Sequence, residues 1–373
     1  MRACDVAVIG GGVVGAACAR AAALRGLTVA VFEPGPDPAA ASPASAGMLA
    51  AQIEPADADT ISLSVRARDL YEPLAPQLAD TTGIDIGFWR PGIASLAFDA
   101  QAEQRLRDEV AAQRQAGLRC DWLEPEDLRE RWPGAAAGEG AECRGALFAS
   151  EDAALDPQGL TRACLADARR LGATLVAERV VAIARTGDRA TGVTTTEGLT
   201  AAQHVVVAAG AWSGTVGALP RTLPVEPVRG QMAATLWPAN TPAGILFDDH
   251  SYVLARGEEA LLGSTMEHAG YDCRVTNEGL AQIFRGAVRL LPALVSGSVR
   301  RMWAGLRPVT SDGRPIVGAD PKVPGLWYAT GHGRSGVLLA ALTGEVMADL
   351  LTTGDTTVNV AGWRPGRLDA SAK

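Results

Sequence analysis

Histidine and paired cysteine are scarce in this sequence. It contains four histidines, which are scattered singly, and six cysteines without a Cys-x-x-Cys pair. Metal sites are built from clusters of such residues, so we expect no metal centre. The cysteines are predicted to be free, mostly buried thiols of a reducing compartment, and we therefore expect a cytoplasmic protein.

Long apolar runs and clusters of basic residues are also missing. The longest apolar runs, Val205–Trp212 and Val337–Leu342, are far shorter than the roughly 20 residues of a membrane-spanning helix. The N-terminus leads straight into a predicted strand, so we expect neither a cleaved leader nor a membrane span. The net charge of −8 and the lack of a basic stripe disfavour a nucleic-acid partner.

What remains is an ordinary globular composition over a long chain. Hydrophobic residues make up 47% and charged residues 20% of the 373 residues, a balance typical of folded proteins. The length predicts two domains, or one large α/β domain with an insertion, because single hydrophobic cores stop growing at about this size.

The most informative stretch of the sequence is its beginning. An apolar strand leads into a glycine turn, a predicted helix over Val13–Arg25 and a second strand that ends at Glu33. In such a βαβ unit, Gly10 permits the tight turn, Gly12 lets the backbone approach a pyrophosphate, and Gly15 lets the helix pack against the strand. A carboxylate at Glu33 suits a ribose hydroxyl and favours FAD or NAD over NADP. The motif leaves the choice between FAD and NAD open.

Two later segments suit the same ligand. The stretch around Ser45–Met48 consists of small residues and permits close approach to something flat, although a plain flexible linker fits the composition equally well. The glycine-rich loop Gly331–Gly336 precedes a predicted helix over Val337–Leu351. This loop offers a second helix N-terminus, suited to a second electronegative part of the ligand.

The periodicity of the chain predicts two interleaved domains. We assign 1–81, 151–222 and 303–373 to a nucleotide-binding domain, and 82–150 and 223–302 to a second domain that is rich in strands. Further helices are predicted at Ile61–Leu78, Gln101–Gln115, Pro125–Trp132 and Asn277–Leu291, and one more is capped by Asp156 with Pro157 in its first turn. A strand pair is predicted at Phe88–Pro91 and Ile93–Phe98.

Taken in order, several segments resemble the D-amino-acid-oxidase-like family of FAD enzymes, and within it the branch that oxidises glycine. The resemblance covers nearly the whole chain, and it is specific because each of its weak motifs occurs in the family's order. The segments that carry it are Val8–Gly15, Ala44–Ala50, Val205–Ser213, Val228–Gln231, Asp249–Val253, Trp303–Pro308, Asp312–Pro315 and Gly331–Val337.

The resemblance implies a fold and a cofactor. The fold class is α/β (α+β overall), with a discontinuous, Rossmann-like FAD-binding domain and an inserted substrate domain of antiparallel sheet. The FAD is expected to be non-covalent, because relatives with a covalent flavin use a cysteine near Leu306–Arg307 and no cysteine follows Cys273 here. The implied FAD contacts are Gly10, Gly12, Val13, Val14, Gly15, Glu33, Ser45, Ala46, Gly47, Met48, Val180, Ala209, Gly210, Trp212, Gly305, His332, Gly333, Arg334, Ser335, Gly336 and Val337.

The resemblance also implies a substrate site at the flavin ring. Arg307 would bind the substrate carboxylate, Tyr252 would hydrogen-bond to it, and Arg334 would lie beside the flavin. Without the family, Arg307 reads first as a surface or domain-interface salt-bridge residue, and Tyr252 as a core tyrosine with a satisfied hydroxyl. The side chains implied to line the pocket are Met48, His250 and Met266, of which Met48 could simply fill a gap and His250 could be structural.

The activity implied is the oxidation of glycine, sarcosine and small D-amino acids. Hydride transfer would give an imine, which hydrolyses to a 2-oxo acid and ammonia or feeds thiazole synthesis for thiamine, while molecular oxygen becomes hydrogen peroxide. One alternative is a dehydrogenase of the same fold that passes electrons to a quinone or carrier. The other is a non-catalytic nucleotide-binding protein. The sequence leaves open whether the chain forms a homo-oligomer.

Overall fold

The computed structural model describes residues 2–54, 58–135 and 142–370. Within them the chain forms two eight-stranded sheets and one two-stranded sheet. The strands, β1 to β18 in chain order, are Arg2–Ile9, Val29–Phe32, Met48–Leu49, Ile93–Ala97, Asp121–Leu123, Gly145–Ala149, Ala153–Ala154, Thr174–Val176, Val180–Thr186, Arg189–Thr195, Gly198–Val207, Val225–Leu236, Ile245–Phe247, Tyr252–Arg256, Glu259–Gly263, Val299–Thr310, Ile316–Ala319 and Leu326–Thr330. The α-helices, α1 to α10, are Val13–Leu24, Ala41–Ala44, Ala58–Asp69, Tyr71–Thr82, Ala100–Gln115, Pro125–Arg131, Pro157–Arg170, Asn277–Leu290, Gly336–Thr353 and Arg367–Ala370.

The first sheet, called the cofactor sheet below, has the strand order β17-β18-β11-β1-β2-β8, and its two other strands branch from β11, with β10 paired to β11 and β9 paired to β10. Strand β1 is central and pairs in parallel with β2 and β11, and β11 pairs in parallel with β18. The carboxyl ends of these four strands therefore lie along one edge of the sheet. Ligands of open α/β sheets bind at that edge. The predicted nucleotide-binding segments after Ile9, Phe32, Val207 and Thr330 all start there.

Helices α1 and α9 cover the cofactor sheet and pack against each other. Small residues allow the close approach: a Cβ on Gly344 would lie 2.8 Å from the Ala17 carbonyl oxygen. The segment Gly333–Thr353 is apolar and long enough to cross a membrane, but 67% of its most apolar window is buried inside the protein. It has the burial of a core helix.

The second sheet, called the substrate sheet below, has the strand order β16-β12-β15-β14-β13-β4-β6-β5. Neighbouring strands are antiparallel, except for the parallel pair β13 and β4. Strand β16 pairs with β12 from Val299 to Thr310. It therefore runs across the predicted domain boundary at 302/303 and places Gly305 and Arg307 on the substrate sheet. The predicted domain limits otherwise stay a prediction.

Two predicted elements were wrong in detail. Phe88–Pro91 forms no strand, and only Trp89 makes a single bridge, to Ala154. The predicted helix Ile61–Leu78 is two helices, α3 and α4, that meet at Leu70. The capping prediction for α7 is confirmed, because the Asp156 side chain accepts a hydrogen bond from the Gln158 N–H at the helix start.

Candidate active site

The glycine turn after β1 has room only for glycine at two positions. Gly10 has φ +105°, and a Cβ there would lie 2.5 Å from the Ala208 carbonyl oxygen. A Cβ on Gly15 would lie 2.0 Å from the Gly10 carbonyl oxygen. Backbone thus packs directly on backbone between β1, β11 and α1, which brings the N-terminus of α1 to the carboxyl edge of the sheet.

Two side chains are aimed at this turn from other segments. The Gly11 N–H donates to Glu33 Oε2 at 2.8 Å, and the Val13 N–H donates to Ser42 Oγ at 3.0 Å. Glu33 is therefore beside the N-terminus of α1, where a ribose would be held next to a pyrophosphate. Ser42 was missed by sequence reasoning. Its only signal was its place in the stretch of small residues, because its contact with Val13 spans 29 positions of the chain.

The other predicted cofactor residues of the early chain lie nearby. Val14 is half-buried on α1, and Val180 is buried at the start of β9 with Phe32 and Val176. The Glu33 N–H donates to the Val176 carbonyl oxygen at 3.0 Å, which places the end of β8 next to Glu33, four residues before Val180. This arrangement is consistent with Val180 on the adenosine side of a bound dinucleotide.

The ends of β11 and β18 are joined beside the glycine turn. The chain after β11 passes through Ala209 into a 3-10 helix, Gly210–Thr215, which contains Trp212. Ser213 Oγ lies 2.6 Å from Thr330 Oγ1, and the same threonine donates to the Gly210 carbonyl oxygen at 3.3 Å. The structure thus brings the predicted segments at Gly10, Gly210 and Gly331 together along one edge.

The loop after β18 leads into the buried helix α9. Gly333–Ser335 forms a single 3-10 turn, and α9 starts at Gly336 and Val337 with no side chain bonded to its N-terminus. His332 is buried, with Nε2 3.0 Å from Thr343 Oγ1, and burial lowers its pKa to about 4. The imidazole is therefore neutral at pH 7, and the N-terminus of α9 contributes a positive potential at this loop.

The segment between Ala39 and Met48 is fixed to the substrate sheet. Trp303 Nε1 donates to the Ala44 carbonyl oxygen at 2.9 Å, and the Leu306 N–H donates to the Ala39 carbonyl oxygen at 2.8 Å. At its end, Gly47 has φ +75°, and its N–H donates to Ser45 Oγ at 3.1 Å. Gly305 on β16 also lies very close to this segment, because a Cβ at Gly305 would lie 2.4 Å from the Ala44 Cβ.

These features fit FAD. Two helix N-termini, on α1 and α9, lie at the same sheet edge, and a carboxylate stands beside the first. In the segment Ser45–Met48 there is no space for a side chain at Gly47, because a Cβ there would lie 2.0 Å from the Leu155 carbonyl oxygen. The residues present can therefore hold a dinucleotide at one end and a flat ring at the other.

Arg307 lies partly buried on β16 and is held by neutral groups. Its Nη1 donates to the Thr265 carbonyl oxygen at 3.0 Å, and its Nη2 donates to Ser264 Oγ at 2.9 Å. Burial lowers the pKa of the guanidinium, Tyr252 and Glu54 raise it, and the charge of Arg334 lowers it. An arginine nevertheless stays protonated. Each terminal nitrogen keeps one further N–H group, so the side chain can bind a carboxylate with both.

Tyr252 lies buried on β14 next to this arginine. Its hydroxyl is 2.8 Å from Met232 Sδ, and its ring lies over Gly263, where a Cβ would be 2.4 Å from Cζ. Burial raises the pKa of Tyr252, and the charge of Arg307 lowers it. The hydroxyl therefore stays protonated at neutral pH and can donate a hydrogen bond to an anion.

The remaining predicted pocket residues are not all in contact with this pair. Met48 is partly buried and packs on the cluster that contains Tyr252, whereas Met266, one residue after Thr265, is half-exposed. His250 is exposed on the turn before β14, and its N–H donates to Asp248 Oδ1 at 2.8 Å. Arg334 Nη2 lies 2.9 Å from Glu54 Oε1, so Arg334 is already paired with a carboxylate. The roles of these four residues stay predictions.

Gly230 is a further residue that sequence reasoning gave no role. A Cβ at this position would lie 2.1 Å from Arg307 Nη1. We expect Gly230→Ala to displace the guanidinium and to raise the substrate KM at least tenfold, while FAD binding is unchanged. Steady-state kinetics with an FAD titration checks this. Gly214→Ala is the control, since its nearest neighbour would be 3.4 Å from the added Cβ. An unchanged KM in Gly230→Ala would contradict the geometry.

Comparisons with known proteins agree with this site. Residues 5–350 match the family model DAO, described as FAD dependent oxidoreductase. Glycine oxidase of Geobacillus kaustophilus is 34% identical over 361 residues, which cover 96% of this chain and 95% of that protein. The crystal structure of glycine oxidase from the same organism superposes with a TM-score of 0.91 at 32% identity, covering 98% of both chains.

A third relative is longer than this chain. The bifunctional protein ThiO/ThiG of Nostoc sp. is 35% identical over 358 residues, which cover 93% of this chain and 52% of that protein. The chain thus spans about half the length of this bifunctional relative.

Proposed function

We propose that this chain, which belongs to the DAO family of FAD-dependent oxidoreductases, oxidises glycine and other small amines. Sarcosine and small D-amino acids are the further substrates. For a primary amino acid, the substrate, oxygen and water give a 2-oxo acid, ammonia and hydrogen peroxide, with an imine as intermediate. The observation that carries the proposal is Arg307, a guanidinium with two free N–H groups beside the Tyr252 hydroxyl.

The relatives support this choice of substrate. Proteins named glycine oxidase are similar to this chain over nearly its whole length, in sequence and in structure. Arg307 makes no ion pair with a carboxylate among the described residues and keeps free N–H groups, which suits a monocarboxylate. The neighbouring Arg334 is already neutralised by Glu54, so it adds no second free cationic site.

The residues at the site bind and orient the substrate. Arg307 grips the carboxylate with two parallel hydrogen bonds, which fix its direction as well as its position. The Tyr252 hydroxyl, which donates to Met232 Sδ in this structure, would turn from the sulfur to donate a third hydrogen bond to the same group. The α-carbon is thereby held in one orientation, which is what C–H bond cleavage requires. Gly230 and Gly263 make this possible, because they leave space for the two side chains on the substrate sheet.

FAD supplies the redox chemistry: when bound, it accepts the hydride that leaves the α-carbon. Gly10–Gly15 and Glu33 would hold its ADP half, and Ser45–Met48 with Gly331–Val337 would line the ring. The N-terminus of α9 provides a positive potential there, which favours negative charge on the bound group. Tyr252 is protonated and Glu54 is paired with Arg334, so neither of these two described residues serves as a base, and the substrate reacts as the neutral amine.

An anaerobic reduction screen tests the proposal. The protein reconstituted with FAD is mixed with glycine, sarcosine, D-alanine, D-proline and a panel of L-amino acids, and the flavin absorbance is followed. We expect rapid bleaching by glycine and sarcosine and slower bleaching by the D-amino acids. Bleaching by L-amino acids alone would overturn the assignment. No bleaching by any amine would favour the non-catalytic alternative.

The electron acceptor is tested separately. Under air, an oxidase yields about one hydrogen peroxide per substrate oxidised, whereas a dehydrogenase needs an added quinone or dye. We propose oxygen as the acceptor. The similarity to ThiO/ThiG further leads us to propose that the imine feeds thiazole synthesis for thiamine. A deletion strain that grows equally well without added thiamine would overturn that role.

A further inference from the structure

Arg256, at the end of β14, makes an unusual pair of contacts. Its Nη2 donates to the carbonyl oxygen of Ala46 and, at 2.6 Å, to that of Leu155. Both acceptors are buried, and they lie 210 and 101 positions away in the sequence. A single guanidinium nitrogen on the substrate sheet thus joins the segment Ser45–Met48 to the chain just before α7.

The Arg256 charge has no carboxylate in contact among the described residues. Burial lowers the pKa of this side chain, and the carboxylates that raise it, Asp156 and Glu259, make no ion pair with it. Placing a charge partly out of water on two neutral carbonyl groups is costly. The two hydrogen bonds hold the Ala46 and Leu155 peptides in one defined position relative to β14.

The position of Arg256 in its strand links two parts of the site. Tyr252 and Arg256 are four residues apart on β14, so they lie on the same face of the strand. Tyr252 contacts the substrate end of the site, and Arg256 holds the segment that lines the ring. Trp303, on β16 with Arg307, acts in the same way on the Ala44 carbonyl oxygen at 2.9 Å.

We propose that Arg256 is a positioning residue that fixes the segment Ser45–Met48 relative to Arg307 and Tyr252. It thereby sets the separation between the ring and the substrate α-carbon, while it touches neither. The kinetic consequence of this assignment rests on the proposed function. The effect of Arg256 on the segment Ser45–Met48 rests on the fold alone. Hydride transfer is sensitive to such displacements, since a shift of about 1 Å can cost a hundredfold in rate.

The experiment compares Arg256→Gln, Arg256→Lys and Trp303→Phe with the parent protein. Arg256→Gln removes the charge and the fork, and Arg256→Lys keeps a charge with a different donor geometry. Trp303→Phe removes the donor to Ala44 and keeps a smaller aromatic ring. The matched control is Arg129→Gln, because Arg129 is an exposed arginine on α6 paired with Glu126. The proteins are studied with and without FAD.

Three readouts are made. Hydrogen–deuterium exchange of the amides of 45–48 should accelerate about tenfold in Arg256→Gln, the change expected for loss of a charge-assisted hydrogen bond. FAD should bind about tenfold more weakly. Flavin reduction by substrate should slow more than tenfold with an unchanged substrate dissociation constant. The exchange rate, FAD affinity and flavin-reduction rate of Arg256→Lys should lie between those of Arg256→Gln and those of the parent protein.

The outcomes separate the two proposals. If no amino acid reduces the parent flavin, the proposed substrate class fails, but amide exchange and FAD affinity still judge Arg256. If Arg256→Gln does not fold, Arg256→Lys and Trp303→Phe carry the test with the same readouts. Unchanged exchange at 45–48 in the folded variants overturns the proposal. A weaker substrate affinity with an unchanged reduction rate also overturns it, since Arg256 would then act on the substrate site.

Discussion

Arg307→Ala should raise the substrate KM roughly 30-fold or more, because truncating a buried charge that binds a carboxylate costs about 2–5 kcal/mol. The physical reason is that Thr265 and Ser264 occupy only two of the N–H groups on its terminal nitrogens. Both remaining N–H groups and the charge are lost in alanine. Steady-state kinetics with the proposed substrates and a range of carboxylate inhibitors measures the effect.

Arg307→Lys distinguishes orientation from charge. A lysine keeps the charge but binds as a point donor, so we expect weaker binding together with slower flavin reduction. FAD affinity should be unchanged in both variants, because the described hydrogen bonds of Arg307 go to Ser264 and Thr265, directly after β15 of the substrate sheet. A parent-like KM in Arg307→Ala would remove the residue from the substrate site.

Gly10→Ala should abolish tight FAD binding and lower the free energy of unfolding by about 3 kcal/mol or more. The added Cβ would meet the Ala208 carbonyl oxygen at 2.5 Å in a residue whose φ is +105°. Strand β1 or β11 must then move, and the N-terminus of α1 moves with it. Thermal denaturation of the apoprotein and FAD titration measure the two effects.

Gly26→Ala provides the matched control for backbone strain. Gly26 also has a positive φ, of +83°, but an added Cβ would meet nothing within 4 Å. Gly26→Ala should therefore lower the free energy of unfolding by only about 1–2 kcal/mol and leave FAD affinity intact. If Gly10→Ala behaves like Gly26→Ala, the close approach of β1 and β11 is not what the cofactor site requires.

The family, the fold class and the FAD cofactor were predictable from short motifs and are confirmed. Each motif is local: the glycine turn, the acid after β2 and the loop before α9 have signatures within a few residues. Helix positions were also predictable, since α1, α5 and α8 follow from local periodicity and differ from the prediction by a residue or so at their ends. The roles of the site residues stay predictions, although the structure places Arg307 and Tyr252 side by side.

Residues with no local signal were not predictable. Ser42, Gly230 and Arg256 are each identified only by a neighbour that the tertiary structure brings to it from a distant part of the chain. The prediction of a strand at Phe88–Pro91 was wrong for a related reason. The apolar residues of this segment are packed without a continuous strand pairing, and the backbone makes a single bridge, to Ala154.

The sequence by itself determined the nucleotide-binding βαβ unit, because its glycine turn, helix and second strand are specified by residue type and short spacings, over which chain geometry is fixed by sterics. The non-covalent flavin and the binding of a carboxylate by Arg307 are implied by the family resemblance and stay predictions. The tertiary structure alone decided that β16 belongs to the substrate sheet, that Glu54 neutralises Arg334, and that Arg256 holds the Ala46 carbonyl oxygen. Such contacts join residues up to hundreds of positions apart, and only the register of the assembled sheets brings their atoms within hydrogen-bonding distance.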